Sequence, residues 1–238
     1  MYFDKALQLY QKGNFKKSLL HAKRGLKKNP TEIKYFLLFG LIFYSQNKFN
    51  ESIKNLNIFL KYDPKNVDAL ITKFHSLRAN KNYNEALLTL RSIEEVDSRK
   101  SDIYFFYGEC NLKINNHETA KKFFNKSLKF NQSKRNFLNI FNTYEKDDYF
   151  FEAAEFLRKY QDFDNDSEVI LRFCKTQFKF NSNNFIQVEK LLKKILLLDK
   201  NNTEILFWLG NCSVLLGKIE DATKNFLAVT YLDKDFET

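Results

Sequence analysis

Residues 36–64 read FLLFGLIFYSQNKFNESIKNLNIFLKYDP. Phe36, Phe39, Gly40 and Phe43 recur three and four residues apart, the spacing that puts side chains on one face of an α-helix. Ser52 and Leu56 continue the series, and Pro64 closes it, because proline cannot extend a helix and restrains the residue before it. The same arrangement returns about every 34 residues from one end of the 238-residue chain to the other.

Upstream, Tyr2, Ala6 and Leu9 precede a turn at Gly13, then Phe15, Ser18 and Ala22, with Pro30 at the end. Downstream, Leu70, Phe74 and Leu77 precede Tyr83, Ala86, Leu90 and Ile93, and Ser98 stands where a proline would close the unit. Tyr104, Tyr107 and Gly108 lead to Ala120, Phe124 and Leu128. Phe137, Ile140, Phe141 and Tyr144 lead to Phe150, Ala153 and Leu157. Leu171, Cys174 and Phe178 fit only with one extra residue in the Asn-Ser-Asn-Asn turn at 181–184; Phe185, Val188, Leu192 and Ile195 then recover the register. Leu206, Leu209, Gly210, Gly217, Ala222, Phe226 and Val229 complete the series.

This arrangement resembles the tetratricopeptide repeat (TPR), whose unit carries Trp-x2-Leu-Gly-x2-Tyr, Ala-x3-Phe and a closing Pro. Phe replaces Trp, Leu and Tyr at 36, 39 and 43, and Ser52 replaces Ala. The resemblance spans the chain. It implies an all-α fold, a right-handed superhelical solenoid of about seven TPR helix-turn-helix repeats whose first helices form a concave inner wall. One domain would cover 1–238, with repeats at about 1–32, 33–66, 67–100, 101–133, 134–167, 168–202 and 203–238. Small residues such as Gly40, Gly108, Gly210, Ala86, Ala120, Ala153 and Ala222 let the helices of a pair approach. A single pair cannot bury both of its faces, so neighbours must stack. A softer joint is expected at 161–168, where acidic repulsion, a missing proline and the irregular sixth repeat coincide.

Composition agrees with a packed helical chain. Hydrophobic residues make up 44% and Phe occurs 26 times, which excludes a disordered chain; 2 Pro and 6 Gly leave few helix breakers. The net charge of +10 is lopsided. Residues 1–34 hold Lys5, Lys12, Lys16, Lys17, Lys23, Arg24, Lys27, Lys28 and Lys34 against Asp4 and Glu32. Residues 145–168 carry Glu145, Asp147, Asp148, Glu152, Glu155, Asp162, Asp164, Asp166 and Glu168 against Lys146, Arg158 and Lys159. Such charge serves either as a solvated surface or as a dock for an acidic partner. Cys110, Cys174 and Cys212 are far apart and odd in number, which suits reduced, buried side chains. The N-terminus enters a helical pattern without a signal-peptide core, and no apolar run approaches the ~18 residues of a membrane span. A cytoplasmic location is expected.

In TPR proteins the first-helix residues that do not pack on neighbours line a groove. Here the matching places hold Leu37 and Leu41; Ile71, His75 and Arg78; Phe105 and Glu109; Leu138 and Asn142; and Phe207 and Asn211. Asn139 and Asn142 are candidates to hydrogen-bond a peptide backbone. Chaperone-tail binders of the family grip carboxylates with Lys, Arg and Asn, whereas Phe3, Leu7, Leu37 and Leu41 occupy those places here. An apolar groove suits an amphipathic helix or an extended apolar segment; the alternative is that a tight superhelix tucks these side chains under their neighbours.

Nothing in the pattern suggests catalysis. His21, His75 and His117 share no spacing with Cys or carboxylate pairs, Glu94-Glu95 and Asp147-Asp148 read as solvated, and the common phosphate-loop, HExxH and GxSxG motifs are missing. No cofactor or metal is expected. The expected function is therefore a non-enzymatic protein-protein interaction scaffold or adaptor, binding a protein or peptide in its groove. The alternative is a basic nucleic-acid-associated module, using Lys16, Lys17, Lys23, Arg24, Lys27, Lys28, Lys121, Lys122, Lys126, Lys129, Lys190, Lys193 and Lys194 on second helices. The last repeat lacks a polar cap, so Leu227, Tyr231, Leu232 and Phe236 are expected to be partly exposed; either the chain is a piece of a longer one, or this end meets a partner or a second copy in self-association.

Overall fold

The computed structural model describes residues 2–180 and 183–233. Among them are fourteen α-helices, one short 3-10 turn and no strand. The chain divides into two compact units, residues 1–131 and 132–238. The first holds four hairpins: α1 (Tyr2–Gln11) with α2 (Phe15–Lys28), α3 (Lys34–Ser45) with α4 (Phe49–Leu60), α5 (Val67–Ala79) with α6 (Tyr83–Val96), and α7 (Lys100–Lys113) with α8 (His117–Phe130). The second holds three: α9 (Lys134–Lys146) with α10 (Phe150–Arg158), α11 (Ser167–Lys179) with α12 (Phe185–Leu196), and α13 (Thr203–Leu215) with α14 (Ile219–Leu232). A 3-10 turn at Phe163–Asn165 lies between α10 and α11.

Six hairpins share one turn. Three residues join the helices, and the middle one adopts left-handed backbone: Gly13 (φ 72°), Asn47 (58°), Lys81 (59°), Asn115 (60°), Asp148 (64°) and Gly217 (71°). The next residue donates its N–H back to close the first helix, as from Lys48 to the Phe43 carbonyl at 2.8 Å and from Asn82 to the Leu77 carbonyl at 2.9 Å. Asparagine tolerates this conformation because its short amide bonds locally. Lysine has no such compensation. Between α11 and α12 the link runs over 180–184, two residues longer than the others rather than one. Asn181 and Ser182 of that link lie outside the described residues.

Asparagine also starts helices. The side chains of Asn14, Asn66, Asn82 and Asn202 accept from the N–H groups of Lys17, Ala69, Glu85 and Ile205, and Ser133 and Asp166 do the same for Asn136 and Val169. Each cap satisfies one of the N–H groups that a helix start leaves without an internal partner.

The hairpins close on a seam of small against large. A methyl group on Gly40 would lie 2.5 Å from Leu56, one on Gly108 2.5 Å from the Phe124 ring, and one on Gly210 2.5 Å from Phe226. In each case the large residue follows the glycine by one full hairpin turn. Ala6, Phe74, Phe141 and Cys174 hold the same place in the other four hairpins. Serine at the alanine place is accommodated by hydrogen bonding. Ser18 Oγ donates to the Ala6 carbonyl at 2.7 Å and Ser52 Oγ to the Gly40 carbonyl at 2.8 Å, so neither buried hydroxyl is left unpaired.

Polar pairs about one repeat apart join neighbouring hairpins within each unit. Arg78 pairs with Glu109 at 2.7 Å, Lys175 with Glu204 at 2.6 Å and Lys179 with Glu145 at 2.7 Å. At the expected soft joint, Lys134 reaches both Asp166 (2.8 Å) and Glu168 (2.6 Å). Burial opposes the ionised Asp166, yet bonds from Lys134 and the Val169 N–H hold its carboxyl below the usual range. Two of the acids counted as mutually repulsive are thus tied to one lysine, and Phe163 stands edge-on to Phe173 at 5.3 Å. Glu94 differs from its expected solvated state. Its carboxylate accepts from the Tyr104 hydroxyl at 3.0 Å and the Tyr107 hydroxyl at 3.2 Å, and its carbonyl accepts from Lys100. Burial and the Glu94 charge push the Tyr107 hydroxyl well above its usual pKa. Leu227, Tyr231 and Leu232 are exposed, as expected; Phe236 lies outside the described residues.

Two substitutions test this packing. Lys81→Gly relieves the left-handed strain and raises stability by about 1 kcal/mol, read as a higher urea midpoint. Gly108→Ala gains about 1 kcal/mol of helix propensity but forces the buried Phe124 ring to move at a cost of about 1–3 kcal/mol. A net loss is expected, and a midpoint at or above that of the parent protein would contradict the seam.

Candidate functional site

Within the first unit, successive first helices touch directly, α1 with α3 and α3 with α5. These first helices carry the residues singled out from sequence. Leu37, Leu41, Ile71, His75, Arg78, Phe105 and Glu109 are all half-buried, neither sealed in the core nor fully in water. Leu37 rests on the cluster of Leu56, Phe59 and Ala69, and Ile71 on that of Leu70, Phe74 and Leu77. The Phe105 ring is 5.5 Å from that of Phe106 and 5.9 Å from that of Phe124.

Three of these residues form one assembly. Arg78 Nη1 donates to Glu109 Oε2 at 2.7 Å, and its guanidinium lies 5.1 Å from the centre of the Phe106 ring. His75 packs against Phe74 at 5.1 Å and Phe106 at 5.5 Å. Burial, helped by the charges of Arg78 and Arg99, lowers the His75 pKa from 6.5 to about 4, so the ring is neutral at physiological pH. Phe106 had no place in the sequence-derived set because its position in the repeat reads as packing.

Beside this assembly lies a cavity of about 60 Å³. Ile71, Phe74, His75, Leu90, Ile93, Ile103 and Phe106 line it, and Asp97, Arg99 and Asp102 complete the lining. Asp97 and Arg99 bond each other through two nitrogens, at 3.0 and 2.5 Å, so their charges are mutually satisfied. The cavity lies between α5, α6 and α7, with the α6–α7 link at its edge.

In the second unit the sequence-derived residues are more polar and better satisfied. Leu138 is half-buried, while Asn139 and Asn142 are exposed. Asn142 Oδ1 accepts from Arg172 Nη1 at 3.3 Å, so part of its capacity is already used. Phe207 packs on Trp208 at 5.5 Å and Phe226 at 6.0 Å, and Asn211 Nδ2 donates to the Phe207 carbonyl of its own helix at 3.0 Å.

Cys110, Cys174 and Cys212 are buried free thiols. Burial pushes Cys110 and Cys174 up to about 12 and Cys212 up to about 11, which leaves them as unreactive thiols. Among the described residues no group of three or more His, Cys, Asp or Glu could hold a metal ion, and no helix is long and apolar enough to cross a membrane.

Residues 101–134 match the family model for the tetratricopeptide repeat. No curated protein matches the chain. Among solved structures, it is similar to the C-terminal part of a TPR repeat-containing protein from Cytophaga hutchinsonii, with a TM-score of 0.74 and 12% identity over 99% of this chain and 96% of that one. A tetratricopeptide repeat protein from Parabacteroides merdae gives a TM-score of 0.61 and 15% identity, over 98% and 93%. The Naa15/Naa10 complex bound to HypK-THB gives 0.59 and 17%, over 99% of this chain and 37% of that one. These likenesses establish the fold.

The depressed His75 pKa has a readable consequence. Between about pH 6.5 and pH 4 the unfolded chain binds a proton at this site and the folded chain does not, so stability falls as pH drops through that window. Above it this group contributes no pH dependence. His75→Phe is expected to lose less stability than the parent on acidification, measured by urea unfolding; identical pH slopes would contradict the burial of a neutral ring.

Proposed function

We propose that this chain, which has the tetratricopeptide-repeat fold, is a non-enzymatic adaptor that holds an apolar or amphipathic protein segment along the first helices of its first unit. Proteins of this fold commonly serve as interaction scaffolds, and the Naa15/Naa10 structure is of a complex with a bound partner. The observation that carries the reading is the half-buried run Leu37, Leu41, Ile71, His75 and Phe105 on α3, α5 and α7. Such side chains leave apolar area in water that a partner segment can cover, at about 25 cal/mol for each Å² removed.

The assembly around Arg78 gives the run its specificity. The cavity accepts a short apolar side chain against Ile71, the neutral His75 ring and Phe106. Arg78 and Glu109, half-exposed and paired, offer a donor and an acceptor to the backbone of the same segment. In the second unit, taken by itself, Asn139, Asn142, Phe207 and Asn211 offer a more polar surface. The buried thiols suit a reducing compartment, and we place the protein in the cytoplasm on that ground.

Leu41→Glu combined with Phe105→Glu is the test. Both positions are half-buried, so helicity by circular dichroism is expected to persist while partner recovered by affinity capture from native extract falls at least about tenfold. Capture that is unchanged by the double variant would overturn the reading. Capture that survives the variant but collapses as salt rises would favour the Lys-rich surface and nucleic acid instead.

A further inference from the structure

Helix α12 carries a stripe that the proposed groove does not use. Ile186, Lys190, Lys193 and Leu197 follow one another at intervals of four, three and four residues, which places them on one face. Ile186 is 63% exposed, Leu197 73% and the following Leu198 74%. A shallow depression of about 610 Å³ is lined there by Lys190, Lys193, Lys194, Leu196, Leu197 and Lys200. No acid lies on the stripe. Glu189, the acidic residue of α12, is buried and holds Lys193 at 2.8 Å and Lys218 at 2.6 Å. Lys194 donates to the main-chain oxygen of Asp164, which leaves Lys190 and Lys200 as the lysines most available to a ligand.

Adjacent leucines three-quarters in water, with four lysines and one acid, Asp199, around them, carry a definite chemistry. Protein interfaces are enriched in Tyr, Trp, Phe, Met and Arg and depleted in Lys. The boundary of an anionic bilayer selects the opposite set, with aliphatic side chains entering the headgroup region and lysine stems reaching alongside to lipid phosphates. We infer that this corner docks on an anionic phospholipid surface, with Leu197 and Leu198 inserted and Lys190 and Lys200 meeting the headgroups. The contact is peripheral, and it uses residues of the second unit alone. An adaptor so placed would present its cargo at a membrane.

Flotation of the full chain with phosphatidylcholine vesicles containing about a third phosphatidylserine tests this at about 0.1 M salt. Binding is expected to these vesicles and not to phosphatidylcholine alone. Leu197→Ser with Leu198→Ser should weaken binding by about tenfold or more. Lys190→Gln with Lys200→Gln should weaken it about thirtyfold, or about fivefold per lysine. Lys23→Gln with Lys27→Gln, in the equally basic first repeat, should change it little. All six positions lie outside the buried core, so circular dichroism should be unaltered. The inference is overturned if anionic vesicles are not bound, if the leucine pair has no effect, or if the first-repeat lysines matter instead. It is also overturned if a soluble Glu- and Leu-rich helical peptide binds this corner while vesicles do not, which would assign the surface to a protein. None of these readouts depends on the groove, because Leu41→Glu with Phe105→Glu should bind vesicles as the parent does.

Discussion

The contact on which the fold depends is glycine against a large apolar side chain at the heart of three hairpins. Where Gly40 meets Leu56, Gly108 meets Phe124 and Gly210 meets Phe226, the backbone of one helix sits directly on the side chain of its partner. Close-packed interiors have no slack at such a point. In the third hairpin Phe74 stands at the glycine's place, beside a cavity walled by Leu90, Ile93, Ile103 and the neutral His75. The candidate binding feature thus adjoins a hairpin built without the glycine.

Much of this was legible in the sequence. The recurrence near 34 residues gives the helical hairpins, since periodicity records which side chains point inward. The glycines and alanines foretold close approach, and the half-buried state of Leu37, Leu41, Ile71 and Phe105 agrees with places that do not pack fully on neighbours. Less legible was anything that depends on volume balance or on partners a repeat away. Phe74 stands at the place that Gly40 takes in its own hairpin, and the cavity beside it has no signature in the pattern. Glu94 read as one of two solvated acids because the tyrosines that receive it, Tyr104 and Tyr107, belong to the next helix. The link at 180–184 is one residue longer than the sequence pattern requires.

Charge follows the same lesson. The excess of lysine suggested a surface for polyanions, yet in the second unit Lys134, Lys175, Lys179 and Lys218 are committed to carboxylates about one repeat away. Each exposed pair contributes little, about 0–1 kcal/mol, but together they fix the register of one hairpin on the next. Asparagine has a comparable role. Its abundance looks like mere polarity until Asn14, Asn66, Asn82 and Asn202 are seen capping helices while Asn47 and Asn115 occupy left-handed turns.

The hairpin turns have a consequence for the way the chain is made. Each closes on bonds spanning six residues or fewer, and within each unit a hairpin then meets chiefly the one before it. Little of the structure has to wait for a distant segment. A ribosome releasing the chain from its N-terminus would deliver one complete hairpin at a time onto a finished template, so the nascent polypeptide can acquire its fold vectorially and expose at any moment only the flank of the newest unit.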